Sequence, residues 1–145
     1  MKKIYKKEDL DGFIEELLKS LKPSKNAIIL LLEGDLGAGK TTFTQILAKK
    51  MGYQKEVVSP TFMIQKKYPA EYGFIRNLIH IDAYRLESPN EIEALGWSSW
   101  VTNPENLIVV EWPSKIGGVV PPYAHKLSFE HVDEDTRSIE INYEG

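Results

Sequence analysis

The residues with the clearest chemical signature form the segment GDLGAGKTT, from Gly34 to Thr42. Residues 34–41 match the pattern G-x-x-x-x-G-K-[ST] in full, between a predicted strand and a predicted helix. Glycines let backbone N–H groups turn toward phosphate oxygens, while Lys40 adds a mobile positive charge and the Thr41 hydroxyl can ligate Mg²⁺. The alternative is a glycine turn that only caps a helix, but chance produces this pattern in well under about one chain in a hundred of this length. The pattern therefore predicts a nucleotide-binding loop made by Gly34, Asp35, Leu36, Gly37, Ala38, Gly39, Lys40, Thr41 and Thr42.

Two acidic residues end apolar runs elsewhere in the chain. Asp82 closes LIHID and Glu111 closes LIVVE. A phosphate-binding loop needs a carboxylate at the end of a neighbouring strand to hold Mg²⁺ or its water shell. Either acid suits the metal, with the other orienting the attacking water, and the alternative for each is a solvated carboxylate at a strand end. Two such acids beside a complete loop favour a catalytic role.

The segment Ser59-Pro60-Thr61-Phe62 lies between the loop helix and the Asp82 strand. Many nucleotide switches place a loop that senses the terminal phosphate at this point. Thr61 is therefore a candidate catalytic residue that closes on Mg²⁺ or phosphate. The alternative is that Ser59 and Pro60 only start a strand.

Aromatic and imidazole side chains give weaker signals. Trp112 directly follows Glu111 and is a candidate nucleotide contact, although packing beneath the sheet is the usual role of a tryptophan. Trp97 and Trp100 are interpreted as core or interface residues. The three histidines, His80, His125 and His131, show no metal-ligand spacing.

Hydrophobic periodicity predicts the elements that position these residues. Apolar residues at helical spacing predict a helix over residues 8–21, stopped by Pro23. Further helices are predicted over residues 40–51, closed by Gly52, and from Pro89 to near Gly96, with Ser88 capping and Glu91 reaching back. Strands are predicted over residues 27–32, 62–68, 77–83 and 107–112, followed by a hairpin of 125–132 and 137–143 that turns at 133–136. These elements predict an α/β fold, a single domain over residues 1–145 with a mainly parallel central sheet, helices on both faces and a C-terminal β-hairpin.

Composition limits the class of protein. The chain has 145 residues, enough for one core, and no cysteine, which excludes disulfides and thiolate chemistry. A net charge of −3 does not favour direct nucleic-acid binding. The longest apolar run, residues 27–32, is far shorter than the roughly 20 residues that span a bilayer, and no signal-peptide run follows the basic N-terminus. We expect a cytoplasmic protein without a membrane segment.

Four blocks, GDLGAGKTTFTQ, VSPTF, HIDAYRL and VEWPSKI, together resemble the TsaE (YjeE) family of bacterial ATPases in order and approximate spacing. The resemblance covers most of the chain, and the VEWP block is rare in other P-loop classes. It implies a role in making threonylcarbamoyladenosine beside the anticodon of tRNAs that read codons beginning with adenine. It also implies TsaB and TsaD as partners, with TsaD transferring the threonylcarbamoyl group from an adenylate made by TsaC. ATP hydrolysis then resets the complex, and tRNA is met indirectly through it.

The resemblance also implies roles for individual residues. Lys40 is expected on the phosphates of ATP, and Thr41 and Glu111 on Mg²⁺, with Asp82 nearby as a partner of the metal's water or as the base that orients attacking water. Arg137 matches a late residue on the nucleotide side. The segment Tyr5 to Asp9 matches a stretch near the adenine, but YKKED replaces the usual Ser/Thr-bearing pattern.

Three other functions compete with this interpretation. A small-molecule P-loop kinase shares the loop and metal acid, but needs an arginine-bearing lid, whereas this chain has only Arg76, Arg85 and Arg137 and no lid-sized insertion. A GTPase needs an Asn-Lys-x-Asp segment, which does not follow the Glu111 strand. A nucleotide-dependent binding module with slow hydrolysis overlaps the TsaE interpretation, because a lone domain with few arginines depends on partners for activity.

Overall fold

The computed structural model describes residues 2–34, 39–55, 57, 64–131 and 136–142. The strands are β1 (Lys2–Lys6), β2 (Ile28–Glu33), β3 (Gln65–Tyr72), β4 (Ile75–Asp82), β5 (Asn106–Glu111), β6 (His125–His131) and β7 (Thr136–Asn142). The α-helices are α1 (Leu10–Ser20), α2 (Lys40–Lys50), α3 (Pro89–Leu95) and α4 (Trp97–Val101), and 3₁₀ turns cover Lys7–Asp9 and Pro113–Val119.

The described strands form one seven-stranded sheet in the order β1-β7-β6-β2-β5-β4-β3. The four central strands β6, β2, β5 and β4 run parallel to one another. Antiparallel pairs finish both edges, where β7 joins β6 and β1, and β3 joins β4. The predicted mainly parallel centre and the C-terminal hairpin of β6 and β7 are therefore confirmed, and the predicted turn at 133–136 lies almost wholly outside the described residues.

Helices cover both faces of the sheet, as predicted. Successive side chains of β2 alternate between faces, so Leu30 and Leu32 pack with α1 and α2 while Ile29 and Leu31 pack with α3 and α4. All four side chains are at most 9% exposed. Because both faces are covered, the strand has no polar side and appears in the sequence as a continuous apolar run.

The amphipathic helix α1 supports α2, which carries Lys40 at its first residue. The apolar face of α1, which the helical spacing predicted, is buried through Leu10, Phe13, Ile14, Leu17 and Leu18. Burying each side chain of this size contributes roughly 1.5–3 kcal/mol relative to leaving it exposed. At the surface, the Lys50 ammonium at the end of α2 lies 2.7 Å from the Asp11 carboxylate of α1. Packing and this ion pair fix α2 beside α1.

The region around α3 shows where the capping prediction was right and where it was wrong. Pro89 begins the helix, and Gly96 follows its last residue with a φ of 117°. Ser88 makes no side-chain cap hydrogen bond, contrary to the prediction. Glu91 does reach back, and its Oε1 accepts the backbone N–H of Glu87 at 2.9 Å. The Glu91 carboxylate therefore binds the backbone just before the helix, and the Ser88 side chain supplies no cap.

Helix α4 and strand β1 were not predicted. Gly96 also precedes α4 directly, so the two short helices share one turn. Trp97 on α4 is only 2% exposed and donates its indole N–H to the Val119 carbonyl at 3.1 Å, which confirms its predicted core role. Within the described part of the chain, no helix combines the length and the apolar character needed to cross a membrane.

Candidate functional site

Two glycines set the backbone around the predicted phosphate loop. Gly34 follows β2 with a φ of 144°, and a Cβ atom there would lie 2.6 Å from the Phe129 carbonyl oxygen of β6. Gly39 precedes α2 with a φ of 106°. Both positions favour glycine, because L side chains rarely adopt these conformations and the first has no room for a Cβ atom. Asp35, Leu36, Gly37 and Ala38 lie outside the described residues.

Lys40 is a buried lysine whose ammonium has no hydrogen-bond acceptor among the residues that the structure describes. The residue is 5% exposed, and its Nζ finds no partner among the described residues. It lies 4.4 Å from the ring centroid of Trp112. A buried charge normally has a paired acceptor, so this position favours an anion supplied from outside the chain. The positive end of the α2 dipole and the N–H groups at the start of that helix favour the same kind of ligand.

A cavity of about 200 Å³ lies beside Lys40. Its lining consists of Leu32, Glu33, Gly34, Lys40, Trp112, Pro113 and Ser114. Thr41 and Thr42, the other helix residues of the predicted loop, are exposed. The cavity therefore joins the end of β2, the start of α2 and the segment after β5.

Trp112 lies at this cavity in an unusual backbone conformation. Its φ and ψ are 58° and 51°, and Pro113 begins the 3₁₀ segment directly after it. The partly buried indole packs against the core on the α3 and α4 face, and its ring centroid is 5.1 Å from that of Tyr84, which is 55% exposed. Trp112 thus combines the packing expected of a tryptophan with a position over Lys40. Its predicted contact with a nucleotide remains a prediction.

The two strand-end acids are brought together as predicted. Asp82 and Glu111 are register partners on the parallel strands β4 and β5, and such strands lie about 4.8 Å apart. Alternation along each strand places them on the α2 face, since Leu78 and Val109 pack there. Glu111 is 6% exposed, whereas Asp82 is partly exposed and its Oδ1 accepts the Tyr84 backbone N–H at 3.0 Å. The two carboxylates therefore occupy different environments.

His80 is a site residue that the sequence reasoning missed. It is fully buried, and its Nε2 lies 2.6 Å from Oε2 of Glu111. A carboxylate has no proton to give, so the ring N–H donates this bond. The available signal was the two-residue spacing of His80 and Asp82, which puts both side chains on one face of β4. Metal-ligand spacing between histidines could not reveal His80, because its partner is the Glu111 carboxylate. Among the described residues, no group of three His, Cys, Asp or Glu is arranged to hold a metal.

Besides the four loop residues above, two further predicted site residues are not located in this geometry. Thr61 falls in the segment 58–63, outside the described residues. The backbone of Arg137 lies in β7, opposite Tyr5 of β1 and His131 of β6, and the structure describes nothing of its side chain. Their predicted roles remain predictions.

A larger cavity, of about 660 Å³, lies at the opposite end of the central strands, near the amino ends of β2 and β6. It is lined by the segment 20–29 before and at the start of β2, together with Tyr123 and His125. Burial raises the pKa of Tyr123 and lowers the pKa of His125. The glycine loop follows the carboxyl end of β2, so this cavity is separate from the phosphate-binding residues.

The chain is similar to proteins of one known family. Residues 4–139 match the family model "Threonylcarbamoyl adenosine biosynthesis protein TsaE". The tRNA threonylcarbamoyladenosine biosynthesis protein TsaE of Haemophilus influenzae is 36% identical over 130 residues, which cover 89% of this chain and 77% of that protein. The TsaE of Rickettsia prowazekii is 33% identical over 140 residues, which cover 96% and 92% of the two chains.

A solved structure shares the fold. The crystal structure of Bacillus subtilis YdiB superposes with a TM-score of 0.75 at 28% identity, and the match covers 100% of this chain and 87% of that one. The family match spans nearly the whole chain and the relatives exceed 30% identity over most of their lengths. The chain belongs to the TsaE family.

Proposed function

We propose that this chain is a magnesium-dependent ATPase required for threonylcarbamoyladenosine modification of tRNA. It acts with TsaB and TsaD on the adenosine next to the anticodon of tRNAs that read codons beginning with A, and it meets tRNA through that complex. Family membership supports the pathway, because the relatives' names assign them to threonylcarbamoyladenosine biosynthesis. The proposal implies a cytoplasmic protein of one P-loop domain.

The observation that carries the ATPase assignment is the buried Lys40 Nζ at the start of α2, which has no acceptor within the described part of the chain. An ammonium held there costs stability unless a ligand supplies negative charge. The γ- and β-phosphates of ATP supply that charge, and the N–H groups of the first α2 turn add hydrogen bonds. Lys40 is therefore placed to bind a polyanion at the end of the sheet where the parallel strands finish.

The acids fit a magnesium-bound nucleotide. Carboxylate and hydroxyl oxygens are the ligands that Mg²⁺ prefers, and Thr41 with Glu111 would hold it. When bound, Mg²⁺ would neutralise charge that develops on the phosphates. Asp82 is the more exposed carboxylate and is suited to orient the attacking water or the water around the metal. Lys40 would keep the phosphates in place throughout.

We expect the ATPase rate to depend on partner proteins because the chain has only three arginines. Arg76 donates to the carbonyls of Gly73 and Ile75 at the amino end of β4, away from the strand-end acids. Arg85 and Arg137 are the chain's other arginines. A phosphoryl-transfer domain with few arginines of its own can depend on a partner for full rate, as GTPases depend on activating proteins. We therefore propose slow hydrolysis by the isolated chain and faster hydrolysis with TsaB and TsaD.

Reconstitution tests the proposal. This protein is added to TsaB, TsaD, threonylcarbamoyl-adenylate, tRNA and Mg-ATP, and modified tRNA is counted per TsaD over several turnovers. We expect continued turnover only when this protein and ATP are both present, and its loss with Lys40→Ala. Lys50→Ala, at the other end of the same helix, is the matched control and should retain turnover.

Two results would overturn parts of the proposal. Equal multiple turnover without this protein would remove the pathway role. Full turnover by both Glu111→Gln and Asp82→Asn would remove the assignment of the strand-end acids, even if the pathway role held. Phosphorylation of a small molecule in place of ATP hydrolysis would favour the kinase alternative.

A further inference from the structure

We propose that His80 is a positioning residue that holds the Glu111 carboxylate in the orientation needed to bind Mg²⁺. The inference rests on the proposed function, since it concerns the metal assigned to Glu111. His80 itself does not touch the nucleotide or the metal in this proposal. It acts by fixing one carboxylate oxygen, Oε2, so that Oε1 is the oxygen available to the metal.

Strand register explains how the two side chains meet. His80 lies opposite Val109 and Asp82 lies opposite Glu111 on the adjacent parallel strands. His80 and Glu111 are thus diagonal neighbours, at a separation that long side chains can bridge. The 2.6 Å contact spans this diagonal, and both residues are almost completely buried. Water cannot readily replace the imidazole as the donor to Oε2.

The contact is better explained by positioning than by core packing alone. The other Glu111-facing position on β4, Asp82, is partly exposed, but the His80 site is fully enclosed by the core of the α2 face. An aliphatic residue would fill that space without introducing an unpaired nitrogen, whereas the His80 Nδ1 has no hydrogen-bond partner among the residues described. What the imidazole adds over a leucine is the bond to Glu111.

A fixed carboxylate matters because an unrestrained glutamate must lose rotamer freedom when it ligates a metal. Hydrogen bonds to ligating carboxylates orient them, and removing such an outer partner typically reduces metal affinity by about 10–100-fold. The backbone of Glu111 is already fixed, since it pairs with Leu32 on one side and Asp82 on the other. His80 supplies the remaining restraint, on the side chain.

Three substitutions separate positioning from packing. His80→Gln places an amide N–H near the position of the imidazole Nε2 and should preserve the bond. His80→Asn has the same amide on a shorter side chain, so its N–H lies near the position of Nδ1 and does not reach Glu111. His80→Leu keeps much of the volume and removes the donor. Gln and Asn are thus a matched pair that differs in reach.

The measurement is binding of a non-hydrolysable ATP analogue by calorimetry, with EDTA and with a series of Mg²⁺ concentrations. We expect affinity in EDTA to stay within about twofold of wild type for all three variants. We expect the apparent Mg²⁺ affinity of the nucleotide complex to fall about 10–100-fold in His80→Asn and His80→Leu and to be rescued in His80→Gln.

Other outcomes of these measurements would overturn the positioning role of His80. Wild-type Mg²⁺ affinity in His80→Asn, or equal losses in EDTA and Mg²⁺ for Asn and Gln alike, would overturn the inference in favour of a packing role. Glu111→Gln, measured in parallel, separates this failure from that of the proposed function. If Glu111→Gln loses Mg²⁺ affinity and His80→Asn does not, only the positioning role is wrong; if Glu111→Gln keeps it, the metal assignment and the inference both fall. Should His80→Leu not fold, the Gln and Asn pair still decides.

Discussion

Replacing Lys40 by methionine should make the nucleotide-free protein more stable while weakening its binding of ATP. Methionine has nearly the same length as lysine and fills the same buried space without a charge. The lysine is 5% exposed, its Nζ has no acceptor among the residues described, and it occupies the first residue of α2. Each of these features disfavours a cation in the absence of a ligand.

The expected gain in stability follows from three contributions. A buried polar group left unpaired costs roughly 1–3 kcal/mol, and a cation at a helix N-terminus adds about 0.3–1 kcal/mol. The contact of Nζ with the Trp112 ring, at 4.4 Å, returns about 0.5–2 kcal/mol. Lys40→Met should therefore raise the free energy of unfolding by about 1 kcal/mol.

The expected loss of binding comes from the same atom. Hydrogen bonds to a charged group contribute about 1.5–3 kcal/mol, which corresponds to roughly a tenfold to 150-fold change in the dissociation constant. We expect the Mg-ATP affinity of Lys40→Met to fall by about that factor. The stabilising effect of added nucleotide on unfolding should fall in parallel, because it follows the same affinity.

Urea unfolding and calorimetry measure these two quantities. Unfolding is followed without nucleotide or phosphate, since either anion would stabilise the wild type. Lys50→Met is the matched control, because Lys50 lies at the other end of α2 and its pKa is raised by a hydrogen bond to Asp11. This variant should lose stability and keep its ATP affinity, the reverse of Lys40→Met.

The reasoning would be refuted if Lys40→Met were less stable than wild type in nucleotide-free buffer. That result would mean that Lys40 has a favourable partner in solution. Unchanged ATP affinity would separately refute the phosphate role. A gain in stability together with a loss of affinity is the combination that packing alone does not produce.

Two further predictions concern the backbone and pH. Gly34→Ala should destabilise the protein by about 1–3 kcal/mol, because φ is 144° and the new Cβ would lie 2.6 Å from the Phe129 carbonyl oxygen. The control is Gly12→Ala on the exposed side of α1, where a Cβ has open space and should stabilise the protein by about 0.5–1 kcal/mol. Equal urea midpoints for the two variants would contradict this prediction. Burial lowers the pKa of His125, so its contribution to stability is present above the unfolded pKa near 6.5 and is lost as pH falls through the lower folded value. The difference between the unfolding free energies at pH 7.5 and pH 5.5 should therefore be smaller in His125→Gln than in wild type. An identical pH dependence in the two proteins would show that His125 does not contribute to the pH dependence of stability.

The sequence predicted the central elements of the fold because their patterns arise from burial on defined faces. The α1 stripe and the apolar runs of β2 and β5 are dictated by what each element packs against. Edge elements carry less of that signal. Strand β1 is basic and pairs only with β7, so its strand character depends on a partner at the other end of the chain.

Strand β3 shows the same limit at a single residue. Its predicted end was Tyr68, directly before Pro69, but the strand continues to Tyr72. Proline is tolerated there because β3 is an edge strand paired only with β4, and the register shifts between Pro69 and Tyr72. The position of a strand in the sheet, which local sequence does not encode, decided whether proline ended it.

Strand order also assigns different chemistry to two acids that look equivalent in the sequence. Each ends an apolar run, and in the structure both lie on the α2 face of the sheet. Glu111 lies on β5 between β2 and β4, with register partners on both sides, and is buried against His80. Asp82 lies one strand nearer the edge and is half-open to solvent, with its carboxylate on the Tyr84 N–H. A buried, oriented carboxylate suits a metal and a partly exposed one suits water, so the roles proposed for Glu111 and Asp82 are consistent with which strand is central.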